Sequence, residues 1–575
     1  MKKYPNSIIL VELVFMFEKI ILAFSFILLF LFFVHPIPLQ GTNVDLGHHL
    51  LLGEIITKDL VVPNTNLLSY TYPNFEFVNT HWLSDVLFFI LQNSFGFNSL
   101  ILLSTILVFV SFVLLFKASG KRGYLASSLL LILYLQIMSD RTDVKPEVLS
   151  YIFLSLFLFI LYRFRQKFTK LIFFLPVLML LWVNTHIYFI VGNAVAFIFL
   201  LNEFFKSTNR SSLKVKTLFF VFVASLLMTV LNPNGIKGAL YPFIFYQNYG
   251  YKVVENMSFF EALASGVFDI TFAYFSFAII FLLVLIAILH RKIQKMDIVI
   301  IVFFTLLGIY AVRNFPLFVI GTFVPFSLWI GYLLRKVEVK FKNNLDLLRI
   351  VIVVSILLVS LPGIIRNFSV HGVGMGTMDN ADGAIEFISK NRIRGPIYNN
   401  YNIGNYLEYR LYPNEKVFVD GRPEGYPKAF FEKDYYPSER DFQEFMRVVK
   451  KYGIKTVFYE HRNQTQTVNP LLMGLASSKD WKMVYLNSSI VIFAKESDLN
   501  GFTGSLILNK EDTDTKGEIG DLSNFFRVIG WYKKMIEMDK FYLEYEPRNC
   551  TALRHVAVVT KEHQFLEDFI KYCHP

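Results

Sequence analysis

Long apolar runs separated by short polar turns dominate the first two thirds of the chain. Segments long enough to cross a bilayer as a helix, about 17–25 residues, fall near 18–36, 98–117, 123–139, 147–163, 171–184, 187–204, 216–231, 269–289, 297–312, 316–334 and 348–364. The pattern predicts about eleven transmembrane helices. The first run, Ile20 to Val34, lacks a small-residue cleavage site and continues into His35-Pro36-Ile37-Pro38. It reads as a retained helix rather than a cleaved signal peptide.

Beyond about Gly363 the period changes. Pro396–Asn400, Lys416–Asp420, Thr456–Glu460, Lys482–Leu486 and Ile490–Ala494 have the length and composition of strands, with helical stretches at 381–391, 403–410, 439–452 and 468–477 between most of them. This alternation predicts a small α/β domain with a mainly parallel sheet, ending in a hairpin through Asn487-Ser488. A polar stretch at 500–518 reads as a linker, and helical spacing returns around Phe525–Met538 and Val556–Phe569. Three regions result: a transmembrane domain over 1–365 with a long first outer loop at 38–97, an α/β domain over 377–498, and a helical tail over 519–575.

Composition agrees with the pattern. The chain has 575 residues, 54% of them hydrophobic and 62 of them Phe, with mean hydropathy +0.46, which excludes an ordinary soluble protein. The net charge of +11 would suggest nucleic acid in a soluble chain, but here the cations sit in short loops. Lys117, Lys121 and Arg122 form one group; Arg163, Arg165, Lys167 and Lys170 the next. Then come Lys206, Arg210, Lys214 and Lys216, then Arg291, Lys292 and Lys295, and finally Arg335, Lys336, Lys340 and Lys342. With eleven spans all fall on one side, together with Lys2 and Lys3. The positive-inside rule makes that side the cytoplasm and places the α/β domain outside, in a multi-pass cell-membrane protein with no nucleic-acid partner. Cys550 and Cys573 are the two cysteines; they form a disulfide or remain two free thiols.

The loops on the opposite face carry the unusual chemistry. The first begins with Asn43-Val44-Asp45-Leu46-Gly47-His48-His49, followed by Gly53-Glu54, and later has His81-Trp82-Leu83-Ser84-Asp85 opening a helix to about Phe95. Others hold Asp140-Arg141-Thr142-Asp143-Val144-Lys145-Pro146-Glu147, Asn184-Thr185-His186, Glu255, and Arg313-Asn314-Phe315-Pro316. A channel or carrier concentrates its charges near mid-helix; this arrangement favours a site at the outer membrane–water boundary.

Asp45 at the mouth of an apolar cavity can act as a general base toward an acceptor hydroxyl; equally, it can be a helix N-cap. His48, His49 and His81 with Asp45 are candidate metal ligands, although adjacent helical histidines point about 100° apart. Arg141, Lys145 and Arg313 can grip a phosphate or diphosphate, or snorkel at the interface. No nucleophile elbow, Walker loop or HExxH pattern is present, and no Gly-rich loop gives the α/β domain a nucleotide.

Asp45-Leu46-Gly47-His48-His49-Leu50, Gly53-Glu54, Ser69-Tyr70-Thr71 and Val78 to Asp85 resemble the first outer loop of prokaryotic polytopic proteins similar to the GT-C superfamily of membrane glycosyltransferases. The likeness continues through Lys145-Pro146-Glu147, Trp182 to His186, Asn232-Pro233-Asn234-Gly235, Tyr241-Pro242 and Arg313 to Pro316. It then extends to Tyr398 to Tyr401, Gly404 to Leu407 and Val417 to Arg422, covering most of residues 1–495. His48 stands where an aromatic is common and Lys145 where Arg is common. The resemblance implies a polyprenyl-phosphate-linked sugar donor and inverting transfer to an extracytoplasmic glycan, lipid or protein. Asp45 matches the family's acid, and His49, Glu54, His81, Arg141, Lys145, His186 and Arg313 are the expected substrate- and phosphate-binding residues. No cofactor is required; a divalent metal, Mg or Mn, on Asp45 and His49 is the alternative. A transporter or flippase, and a non-catalytic envelope-assembly protein, are the rival functions.

Overall fold

The computed structural model describes residues 5–39, 45–120, 123–207, 212–245, 249–289, 292–340, 345–378, 381–462, 469–499, 504–507 and 515–573. Of the expected features, Lys2, Lys3, Asn43, Val44, Lys121, Arg122, Arg210, Arg291 and Lys342 lie outside the described residues.

Each apolar run is helical. The membrane part comprises α1 (Pro5–Phe33), α2 (Leu46–Asp59), α3 (Trp82–Phe95), α4 (Asn98–Ser119), α5 (Tyr124–Met138), α6 (Glu147–Gln166), α7 (Leu175–Thr185) and α8 (Phe189–Lys206). It continues with α9 (Leu213–Met228), α10 (Gly235–Ile244), α11 (Phe259–Ala264), α12 (Ile270–Leu289), α13 (Lys295–Tyr310), α14 (Phe315–Lys340) and α15 (Leu345–His371). Among the described residues six of these are long and apolar enough to cross a membrane: α4, α6, α8, α12, α14 and α15. Three other expected spans, α5, α9 and α13, have 15 or 16 residues and reach about 24 Å at most at 1.5 Å per residue, short of a hydrocarbon core of about 30 Å. Helix α5 is buried from Ala126 to Met138 and packs against α1, α12, α14 and α15, so it forms the centre of the bundle. Outward-facing Phe219, Phe220, Leu227, Ile280, Leu283 and Leu358 are exposed, as a lipid-facing surface requires.

Two short strands, β1 (Ile37–Pro38) and β2 (Thr377–Met378), pair in parallel and tie the exit of α1 to the exit of α15. The outer domain follows with α16 (Asp382–Lys390), β3 (Ile397–Asn399), α17 (Tyr401–Leu411), β4 (Thr456–Glu460), β5 (Trp481–Leu486), β6 (Ile490–Lys495) and β7 (Leu506–Ile507). Its sheet order is β3-β4-β6-β5-β7. The sheet is mixed rather than mainly parallel: β3–β4 and β5–β7 are parallel, β4–β6 and the β5–β6 hairpin antiparallel. Among the described residues the expected strand 416–420 makes a single bridge, Val417 to Ser69, because this stretch pairs with the first outer loop instead of the sheet. The tail consists of four helices, Lys516–Val528, Tyr532–Tyr545, Cys550–Thr560 and His563–Cys573, and the Cys550–Cys573 disulfide closes the last pair. Gly530, at φ +79°, breaks the predicted run 525–538 into two helices.

The motifs separated along the sequence are mutual partners. Trp82 Nε1 donates to Asn184 Oδ1 (2.8 Å) and Ser84 Oγ to the Thr185 carbonyl (2.6 Å). Tyr70 Oη donates to the Ile397 carbonyl and Thr71 Oγ1 to that of Phe418. The first outer loop therefore joins membrane bundle to outer domain.

Candidate active site

Helix α2 is wedged between α3 and α17, and two glycines allow it. A Cβ on Gly53 would lie 2.1 Å from the Asp85 carbonyl oxygen, and one on Gly47 would lie 2.4 Å from that of Asn405. Asp45 occupies the N-cap position with helical backbone angles (φ −103°, ψ −9°), and its side chain caps no backbone amide. A capping side chain normally leaves from an extended residue. Asp45 faces outward instead: Oδ2 lies 3.3 Å from Lys145 Nζ, and Oδ1 accepts from Asn405 Nδ2 at 3.3 Å.

One turn on, His49 Nδ1 pairs with Asp85 Oδ1 at 2.6 Å. Asp85 is fully buried, and its other oxygen accepts from Asn79 Nδ2 at 2.8 Å. This holds the imidazole in one orientation, as a carboxylate behind a functional histidine does. His48, His81 and His186 complete a row of rings, with centroids 4.0 Å (His48–His49), 5.6 Å (His49–His81) and 5.1 Å (His81–His186) apart. Burial lowers the pKa of His48, His81 and His186, and neighbouring imidazoles and cations lower it further. These rings are therefore neutral near pH 7. His186 Nδ1 also shares a hydrogen bond with Ser150 Oγ (2.9 Å), which accepts from Trp182 Nε1 (2.8 Å).

The cations come from three elements. Arg141 ends the short turn after α5 and donates from Nη1 to Glu255 Oε2 at 2.7 Å, with Glu147 at 3.9 Å. Lys145 lies between Asp45 (3.3 Å) and Glu255 (4.0 Å). Both are 8% exposed, so neither snorkels. Burial works against each charge, yet the carboxylates more than offset it: Arg141 is raised by Glu255 and Glu147, and Lys145 by Asp45 and Glu255. Burial likewise opposes ionisation of Glu255, but Arg141, Lys145 and Arg313 hold its carboxyl well below the usual range. Arg313 donates to Tyr188 Oη (3.2 Å) and Asn256 Oδ1 (3.1 Å).

The outer domain closes the pocket with Asn405, Arg422 and Glu424. Arg422 donates to Asp420 (2.7 and 3.0 Å) and Asn66 (3.0 Å). Among the described residues, four polar atoms of this lining lack a partner within the protein: Arg141 Nη2, Arg422 Nη1, His48 Nδ1 and Glu424 Oε2. A buried guanidinium nitrogen left unpaired is costly, and such gaps collect where a ligand completes them.

Asp45, His49, His81, Arg141, Lys145, His186 and Arg313 thus line one pocket. Glu54 does not: it projects from the other side of α2 and pairs with Lys58 at 2.5 Å. The two residues expected as alternative metal ligands, Asp45 and His49, have protein partners here. Asp45 faces an ammonium and an amide, and the Nδ1 of His49 is taken by Asp85. Among the described residues the one group of three with ligand spacing is elsewhere, at His35, Asp143 and His371. Sequence reasoning assigned no role to Asp85, Glu255, Asn405, Arg422 or Glu424. Asp85 and Arg422 stand in motifs already singled out, which was the available signal.

No protein-family model and no curated protein matches the sequence. Solved structures do. The apo oligosaccharyltransferase of Archaeoglobus fulgidus aligns with a TM-score of 0.51 at 11% identity, over 85% of this chain and 75% of its own. Arabinofuranosyltransferase AftD from Mycobacteria aligns at 0.50 and 11% identity, over 83% of this chain and 41% of its own. ArnT from Cupriavidus metallidurans, bound to undecaprenyl phosphate, aligns at 0.48 and 13% identity, over 84% and 99%. At such identities likeness speaks to architecture, and the first two matches carry it. This membrane protein has a GT-C-like fold.

Proposed function

We propose that the chain is a membrane glycosyltransferase that moves a sugar from a polyprenyl-phosphate-linked donor to an extracytoplasmic acceptor hydroxyl, inverting the anomeric carbon. One observation carries the reading. Arg141, Lys145, Arg313 and Arg422 converge with the carboxylate of Asp45 in a single pocket, and two of the guanidinium groups keep an unpaired nitrogen.

In this reaction the acceptor oxygen attacks the anomeric carbon while the bond to the lipid phosphate breaks. The electron pair leaves with the phosphate, and the hydroxyl proton passes to Asp45. Arg141 and Arg422 neutralise the departing phosphate through the nitrogens that lack partners. Lys145, poised between Asp45 and Glu255, shifts toward the phosphate and frees Asp45 to act as base. His49, fixed by Asp85, orients the acceptor together with His81 and His186. The outer domain supplies Asn405 against Asp45 and covers the pocket.

The basic loops support a cytoplasmic N-terminus, and the Cys550–Cys573 disulfide supports an oxidising compartment for the tail. Asp45→Asn in purified, lipid-supplied protein tests the assignment: transfer from a polyprenyl-phosphate sugar is expected to be lost. Full transfer by that variant would overturn it. Lipid movement across the bilayer without transfer would favour a flippase.

A further inference from the structure

The loop that sends Arg141 and Lys145 into the pocket sends Asp143, midway between them, elsewhere. Asp143 turns toward His35, just beyond the end of α1, and His371, the last residue of α15. Ligating atoms of the three lie within 4.8 Å of one another. None of the three lines the pocket of Asp45.

Each side of this cluster lacks a partner. His35 Nε2, His371 Nε2 and Asp143 Oδ1 are all buried atoms with no hydrogen bond among the described residues. His35 is 4% exposed, and its other nitrogen, Nδ1, faces the Pro36 carbonyl at 3.2 Å. A ring nitrogen against a carbonyl must carry the proton, so Nε2 presents its lone pair. That is the arrangement of a metal-bound histidine, whose second nitrogen donates to a backbone carbonyl. The two rings stand with centroids 5.0 Å apart and tilted by 41°, not stacked. The β1–β2 pairing brings their backbones together independently, with Gly374 N donating to the Val34 carbonyl at 3.1 Å.

From this geometry we propose that His35, Asp143 and His371 bind one divalent transition-metal ion of the zinc class. Two imidazole nitrogens and one carboxylate form a borderline donor set suited to zinc, with water in the fourth position. Tetrahedral zinc holds its ligands about 3.3 Å apart, so small side-chain rotations close the group onto the ion. The ion ties the outer end of α1, the loop 139–146 and the outer end of α15 into one unit. Through Asp143 it fixes the loop carrying Arg141 and Lys145, which makes these three ligands positioning residues.

Full-length protein in detergent, stripped with a chelator and titrated with zinc chloride, is expected to bind one equivalent and to melt at a higher temperature with it. His371→Gln should lose both effects, whereas Asp45→Asn should keep both. His371→Cys loaded with cobalt(II) should gain a thiolate-to-cobalt charge-transfer band, which a merely structural residue would not produce. Equal zinc binding by the stripped parent and His371→Gln, loss of binding in Asp45→Asn, or absence of the cobalt band would overturn the site.

Discussion

Helix α6 has buried charge at both ends, and the two ends are finished differently. At its C-terminal end Arg165 donates to Asp297 at 2.8 Å, the Tyr162 hydroxyl shares that carboxylate at 3.4 Å, and the Arg165 carbonyl accepts from Lys214. No buried side-chain atom of this pair lacks a partner among the described residues. At the N-terminal end Glu147 stands 3.9 Å from Arg141, and around them Arg141 Nη2, Arg422 Nη1, His48 Nδ1 and Glu424 Oε2 are all unpaired. A buried ion pair is weak evidence for function, because it can simply be closed. Each unmade bond costs about 1–3 kcal/mol, so four around one pocket support the proposed ligand site at this end.

The comparison is broken most directly by exchanging the expected phenotypes. Asp45→Asn should reduce transfer about 10²–10⁴-fold and leave the melting temperature unchanged, since its contacts are long and its side chain is 29% exposed. Asp297→Asn should do the reverse. It leaves the partly buried Arg165 beside a neutral amide, destabilising the protein by up to about 3 kcal/mol, while transfer per folded molecule persists. Thermal melts beside transfer assays decide this, and the opposite pattern would show that α6 has its functional end at Asp297. At the pocket end, Arg141→Met alone should destabilise because Glu255 loses its partner. The double variant Arg141→Met, Glu255→Met should recover the melting temperature but stay about 100-fold down in transfer.

Why one end was readable in the sequence and the other was not follows from range. Asp45, His49 and His81 stand in short motifs beside predicted helices, so local spacing brought them forward. Glu54 was misplaced by proximity: nine residues after Asp45, at 100° per residue, put it on the opposite face of α2. Asp85, Arg422 and Glu424 meet the pocket only through α2–α3 packing and the docking of the outer domain, which no local period encodes. The same holds for the sheet. Strand lengths could be read, but the antiparallel placement of β6 against β4 depends on partners far apart. The helices of the bundle were visible because lipid leaves no other way to satisfy the backbone; their count as full spans was not, because a central helix such as α5 can be short.

A finer test lies in the carboxylates of the pocket. Burial pushes Glu424 up to about 7, with Arg422 pulling it down and Asp420 and Asp45 pushing it up. Below that pH it is a neutral acid beside the cations; above it, a negative charge facing the phosphate site. Donor affinity is therefore expected to weaken by about tenfold as pH rises through 7, the effect of one nearby like charge in a partly screened pocket. Glu424→Gln should remove this step and keep the tighter binding throughout. Donor binding measured from pH 5.5 to 8.5 checks it, and an unchanged step in the variant would assign the titration to another group.

The smallest expected effect sharpens the comparison on α2 itself. Glu54 lies on the helix that Asp45 opens and that carries His49, but it pairs with Lys58 at the surface, and such exposed pairs contribute little. Glu54→Ala should transfer and melt like the parent protein, while His49→Ala, one face away, should impair transfer. The contrast matters because both residues belong to the same motif, so any account based on the motif alone treats them alike. Loss of transfer in Glu54→Ala would mean that substrate contacts both faces of α2, with the acceptor approaching along the Lys58 side rather than under the outer domain.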